Sequence, residues 1–310
     1  MKNGLAAVLT LFCLGALMAC GSEPSSSPSG GDLPEAGATA RTEERSTPGY
    51  HPVFSDADLD PTWDESIATH IALSGSGAQV SGEGAQAMEG GVKISRGGVY
   101  VLEGTLDDGR IIADVETGEQ LKIVLNGVRI TCSASAPLYI VNGDAVIVLP
   151  EGTKNVLTDA AAYQYANEAV KEPNACIYGD DDLSIVGGGE LEVWANFNNG
   201  IGTKDELRIA SATITVRAVN NAIKGNDCVL IRDAVLHLES EGDGIKSDEK
   251  AMEGYGVIEI TGSSLEIIAK DDALQATSRI TASDGKIATD VRGKKVNCDG
   301  AVAISDGVLK

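Results

Sequence analysis

Apolar positions in the second half of the chain recur at a long fixed step. Ile201, Ile223 and Ile245 follow Asn-Gly, Asn-Ala and Asp-Gly pairs and stand 22 residues apart. Leu274 comes 29 residues after Ile245, the extra residues lying in the Gly- and charge-rich stretch 249–256, and Val296 restores the step. Three further columns keep it: Leu207, Val229, Ile258, Ile280 and Val302; Ile209, Ile231, Ile260, Ala282 and Ile304; Ile214, Leu236, Leu265, Ile287 and Leu309. Upstream, Ile177, Leu183, Ile185 and Leu191 precede their counterparts by 23 or 24 residues. Inside each unit apolar and polar residues alternate, as in Leu207-Arg208-Ile209, which is the period of a strand and not of a helix. Short strands separated by Gly, Asn, Asp and Ser predict an all-β solenoid, a parallel β-helix with rungs of about 22 residues. The Leu/Asn signature of a leucine-rich repeat is absent, and a propeller blade needs a longer unit.

The first half is less regular but still reads as strands, at Gly98–Leu102, Arg110–Ala113 and Leu121–Leu125, broken by Gly and Asp. The stretch Asp159–Glu172 reads as a short helix or a long lateral loop. The beginning of the chain follows another pattern. Lys2 precedes an apolar run, Leu5–Leu17, that is too short to span a bilayer and ends in Leu-Met-Ala-Cys. Residues 1–19 are therefore expected to be a lipoprotein signal peptide, with Cys20 the lipidated residue. Residues 20–50, rich in Ser, Pro and Gly, are expected to form a flexible tether, and residues 51–310 the β-helix. This places the protein outside the cytoplasm, on the cell surface or outer membrane.

Charge narrows the partners. The formal net charge is -22, which argues against nucleic acid, since phosphate binding needs clustered Lys and Arg. Cys132, Cys176, Cys228 and Cys298 fit no zinc spacing, and either free thiols or bridges suit an exported chain.

In a β-helix the inward positions are core, so chemistry falls to turns and outward positions. One polar column runs through Asn198-Asn199, Asn220-Asn221, Asp243 and Asp271-Asp272; a second runs through Asp180–Asp182, Asp205, Asp227 and Asp248-Glu249. Carboxylates stacked at rung spacing repel unless a cation lies among them, and Ca²⁺ takes oxygen ligands of this kind. The candidate ligands are Asp243, Asp248, Asp271 and Asp272, joined by Asn221, Asp205 and Asp227. Asn and Asp also suit turns and can stack by hydrogen bonding, which is the better reading of the Asn pairs. Lys224 and Lys246 follow the inward Ile on adjacent rungs and should face outward together, to grip a uronate, to act as a base, or simply to relieve the acidic columns. Trp194, with Phe197 and Tyr178, offers a sugar-stacking surface. Asp56, Asp58 and Asp60 alternate like an EF-hand, but Pro61 and Ile67 stand where that loop needs Gly and Glu, so turn and cap roles fit better. His51, His70 and His237 are scattered, and no glycosidase carboxylate pair can be singled out.

Leu121–Ile130, Ala136–Val141, Glu151–Asn155, Leu157–Asp159, Asp182–Ile185 with the Gly187–Gly189 turn, and Asp243–Asp248 together resemble clostridial-type carbohydrate-binding β-helix proteins over residues 54–290. The resemblance implies a right-handed, pectate-lyase-like β-helix with bound Ca²⁺ and affinity for cellulose and acidic sugars. The family's Asp-Asp-Gly-Ile turn survives at Asp243-Gly244-Ile245, is altered at Asp271-Asp272-Ala273-Leu274, and is weakened to Asn in the two preceding rungs. Three functions follow: a calcium-dependent polysaccharide-binding protein, expected to be monomeric; a polysaccharide lyase with Lys246 or Lys224 as base; or a structural adhesin or spacer.

Overall fold

In a computed structural model, which describes residues 50–116, 118–165 and 169–310, the repeating unit is one turn of a right-handed parallel β-helix with three faces. Face 1 stacks Gly91–Ile94, Arg110–Asp114, Leu138–Asn142, Ala175–Gly179, Asn199–Thr203, Ile223–Gly225, Ile245–Ser247, Leu274–Ala276 and Val296–Cys298. Face 2 stacks Ala145–Val148, Leu183–Val186, Glu206–Ala210, Cys228–Arg232, Val257–Thr261, Arg279–Ser283 and Ala301–Ile304. Face 3 stacks Lys154–Thr158, Glu190–Ala195, Thr213–Ala218, Val235–Ser240, Ser264–Ala269 and Lys286–Val291. In the early rungs faces 2 and 3 are one strand. Leu121–Thr131 pairs with face 2 through Leu121–Val124 and with face 3 through Arg129–Thr131.

The apolar columns of the sequence are the rung registers. Leu207 pairs with Val229, Val229 with Ile258, Ile258 with Ile280 and Ile280 with Val302. Ile201, Ile223, Ile245 and Leu274 form the matching inner column of face 1, all fully buried. Truncating one of these to Ala should cost about 2–5 kcal/mol, because neighbours locked in ladders above and below cannot close the cavity.

Two antiparallel hairpins, Thr69–Gly75 with Gly77–Ser81 and Ala85–Met88 with Gly91–Ile94, begin the array, and Thr69–Gly75 and Gly91–Ile94 each pair in parallel with the following rung. They cover strand edges that would otherwise stay open. Between Asp159 and Glu172 the described residues form a lateral loop without helix, centred on Tyr163 stacked against Phe197 at 4.3 Å. Its Asp159 carboxylate accepts hydrogen bonds from the Tyr163 hydroxyl (2.6 Å) and the Asn196 N–H. Cys132, Cys176, Cys228 and Cys298 are free thiols.

Residues 50–68 lie over face 2. There the outward column Val101, Val124, Val148, Val186 and Ala210 is apolar and buried beneath Phe54, Leu59, Trp63 and Ala68. One rung further on, the column turns polar at Arg232. Asp58 latches the segment. It closes a capping box with Ser55, accepts from Ser184 Oγ at 2.5 Å, and lies 3.5 Å from Arg208 Nε. At the far end Tyr50 stacks on Tyr255 at 3.7 Å.

Candidate functional site

At the turn into face 1, each rung carries an Asn or Asp whose Oδ1 accepts the backbone N–H of its counterpart in the next rung. Asn199 receives Asn221 N–H, Asn221 receives Asp243 N–H, Asp243 receives Asp272 N–H, and Asp272 receives Lys294 N–H, at 2.6–3.3 Å. These N–H groups face inward turns where water is scarce, so an unmet donor would be costly. Close packing at the same turn requires glycine at position 244, where a Cβ would sit 2.7 Å from the Ala273 carbonyl oxygen. The Asn positions are thus a hydrogen-bond ladder, and Asn221 is one of its members: its Nδ2 donates to Asn199 Oδ1 at 3.0 Å.

In the Asp rungs the amide donor is replaced by a second carboxylate oxygen, which needs a donor of its own. Asp243 Oδ2 lies 3.0 Å from Lys246 Nζ, and Asp272 Oδ2 accepts from Asn297 Nδ2 at 2.6 Å. Asp243 is 2% exposed, and its burial, partly countered by Lys246, raises its carboxyl above the ordinary value. Asp271, Asp272 and Asp243 bring one carboxylate oxygen each within 4.8 Å of one another, a set able to form a cation site, with Asp271 exposed at its mouth. The donors are all hard oxygens, which suits Ca²⁺. Lys246 is the rival cation, since its ammonium already neutralises Asp243.

Asp205 and Asp227 sit in the second column, at the corner between faces 1 and 2, away from that triad's set. Burial raises both carboxyls, Asp227 to about 6, and neighbouring carboxylates add to it: Asp182 and Asp181 for Asp205, Asp205 and Glu249 for Asp227. In the same corner Asp180 Oδ1 is buried, while its Oδ2 takes Lys204 Nζ at 3.0 Å. Asp248 is not one of the triad, and its carboxylate pairs with Lys224 Nζ at 3.0 Å.

Lys224 and Lys246 are register partners facing outward on face 1, as their spacing predicts. Lys246 Nζ also donates to Gln275 Oε1, on the next rung. Trp194 is not with them. It projects from face 3, 37% exposed, beneath the Arg217 guanidinium at 4.7 Å, with Arg217 held by Glu239 at 3.0 Å. The expected three-ring surface does not form. Tyr178 belongs to face 1 and is 2% exposed, and Phe197 is stacked into the lateral loop. The rings separate because alternation sends Tyr178 and Trp194 outward from different faces. Asp58 and Asp60 have cap and turn roles, Asp60 accepting from Thr62 N–H and Oγ1. Cys20, the expected lipid attachment, lies outside the described residues.

The chain matches the family model "Carbohydrate-binding domain-containing protein" over residues 88–308, and it belongs to that family. A carbohydrate-binding domain-containing protein of Acetivibrio thermocellus is 42% identical over 211 residues, 68% of this chain and 74% of the relative. The gadolinium derivative of a polysaccharide lyase-like protein from C. thermocellum superposes with a TM-score of 0.75 at 38% identity, over 78% of this chain and 99% of the other.

Proposed function

We propose that this protein binds polysaccharide, cellulose or uronate-bearing glycans, in a calcium-dependent manner while tethered at the cell surface through Cys20. The observation that carries the reading is the convergence of Asp243, Asp271 and Asp272 beside the outward Lys224–Lys246 pair. A chain of net charge -22 repels a uronate at long range, so an anionic glycan needs a cation between the two. Calcium held by the Asp rungs would supply that bridge. The ammonium groups of Lys224 and Lys246 would orient the sugar carboxylate, and the flat outward strands give a long chain room to lie. Support for the tether comes from the sequence pattern at residues 1–50 alone.

A lyase is the second reading, with Lys246 or Lys224 removing the proton at C5 of a uronate. The structure gives Lys246 two acceptors of its own, Asp243 and Gln275, so it is not free to take up a substrate proton. Calorimetric titration with polygalacturonate and with cello-oligosaccharides, in calcium and in chelator, tests the proposal. Binding that needs calcium, without absorbance from unsaturated products, is expected. Unsaturated products would make the protein a lyase, and the absence of any binding would leave a structural spacer.

A further inference from the structure

A roomy cleft lies away from the rungs of Asp243, Asp271 and Asp272. It has a volume of about 600 Å³ and opens between the segment Ser55–Asp64 and the outward side of face 2. That volume suits one or two sugar rings. The indole of Trp63 lines it, oriented by its Nε1–H donating to Glu65 Oε2 at 2.6 Å. Gln120 and Ser184 contribute polar groups to the wall.

The charges of the cleft decide which sugar suits it. Its two cations are already engaged. Lys122 Nζ donates to the Thr62 and Asp60 carbonyls at 2.7 and 3.2 Å, and Arg208 is held by the Val53 carbonyl, Asp182 and Glu206. Against them stand Asp58, Asp60, Asp64, Asp144 and Asp182, five carboxylates to two cations. Asp144 is exposed on the wall opposite the strap and has no ion pair among the described residues. Partial desolvation by the cleft walls, then the nearby Asp182 and Asp181 carboxylates, raise its carboxyl above the ordinary range, and Arg208 offsets them only in part. With five carboxylates to two engaged cations, the cleft disfavours a uronate. A neutral hexose would leave Asp144 without a counter-ion.

We infer that this cleft is a site for an amino sugar, the ring lying on Trp63 and its protonated amine facing Asp144. Sugar C–H groups stack on an indole face, and a cation near the same ring gains further attraction. The inference rests on the carbohydrate-binding reading but not on its calcium requirement, so the two fail separately.

The test is calorimetry of the purified protein with the glucosamine trimer and with its N-acetylated counterpart, in chelator and low salt. The glucosamine trimer should bind at one site, and the acetylated trimer about tenfold more weakly or worse. Trp63→Ala and Asp144→Asn should each weaken binding by about tenfold, roughly 1.4 kcal/mol. Trp63 also packs on the valine strip, so its variant can loosen the strap; Asp144→Asn, at an exposed position, separates lost recognition from lost structure. No binding of the glucosamine trimer, equal binding of both trimers, or full affinity in Asp144→Asn would overturn the inference. Asp271→Asn should leave amino-sugar binding intact while weakening calcium-dependent uronate binding.

Discussion

One column of turns does two jobs along its length. In the rungs of Asn199 and Asn221 the side-chain oxygen holds the next backbone N–H and the amide donates back up the column, so every polar atom is satisfied within the ladder. In the rungs of Asp243 and Asp272 the same backbone bond is kept, but the amide is gone and an anion stands in its place. One half is therefore electrically closed. The other must draw a donor or cation from elsewhere, and in this structure it draws Lys246 and Asn297. Structural need is thus constant down the column, and only charge distinguishes a rung that could bind metal from one that merely holds the chain.

Substitutions can break that comparison. Asp243→Ala removes the acceptor of Asp272 N–H and leaves the Lys246 ammonium unpaired, so it should cost about 2–3 kcal/mol in urea unfolding, against about 1–2 for Asn221→Ala. Equal costs would mean that charge adds nothing to the Asp rung. Asn221→Asp extends the acidic half by one rung. It loses the donation to Asn199 Oδ1 and places a carboxylate near Asp243, and should cost about 1–2 kcal/mol in chelator. Calcium should restore most of that loss, and a melting temperature indifferent to calcium would count against a metal in this column.

Lys246→Met sharpens the contrast from the other side. If Lys246 competes with the metal, its removal should raise calcium affinity by about tenfold, or ~1.4 kcal/mol, in a calorimetric titration. A fall in affinity would show that the lysine supports the site. The smallest effect concerns the corner column, where the Asp227 carboxyl titrates near about 6 in the folded protein and near 3.8 in the unfolded chain. Between those values the folded state binds more protons at this group, so in chelator the contribution of Asp227 to stability is largest at the acid end and is lost as pH rises through about 6. Asp227→Asn should flatten that decline. Asp159, also raised to about 6 by burial, contributes a slope of the same sign that the substitution leaves in place.

The solenoid was legible because its core is periodic: a 22-residue step with period-two alternation admits few other folds, and the registers of Ile201, Leu207 and Ile214 follow from it. The outward pairing of Lys224 with Lys246 was legible for the same reason. The strap over face 2 was not, because Phe54, Leu59 and Trp63 follow no period. A signal did exist in its partners. Ile123-Val124-Leu125 and Ile147-Val148-Leu149 are unbroken apolar runs, and a strand buried on one face alone should alternate. Those runs call for cover on both sides. Likewise, clustering of Asp243 with Asp271 and Asp272 follows from the stacking, whereas its neutralisation by Lys246 depends on a side-chain direction that spacing does not fix. The grouping of Trp194 with Tyr178 failed because a short sequence separation says little once the chain turns a corner of the helix.

The most direct test of the central claim is an anomalous difference map from crystals of this protein soaked in a lanthanide salt. The account predicts a peak among Asp243, Asp271 and Asp272, with Lys246 turned away, and none beside Asn199 and Asn221. Density beside the Asn rungs, or none at the Asp triad in a fully soaked crystal, would contradict it.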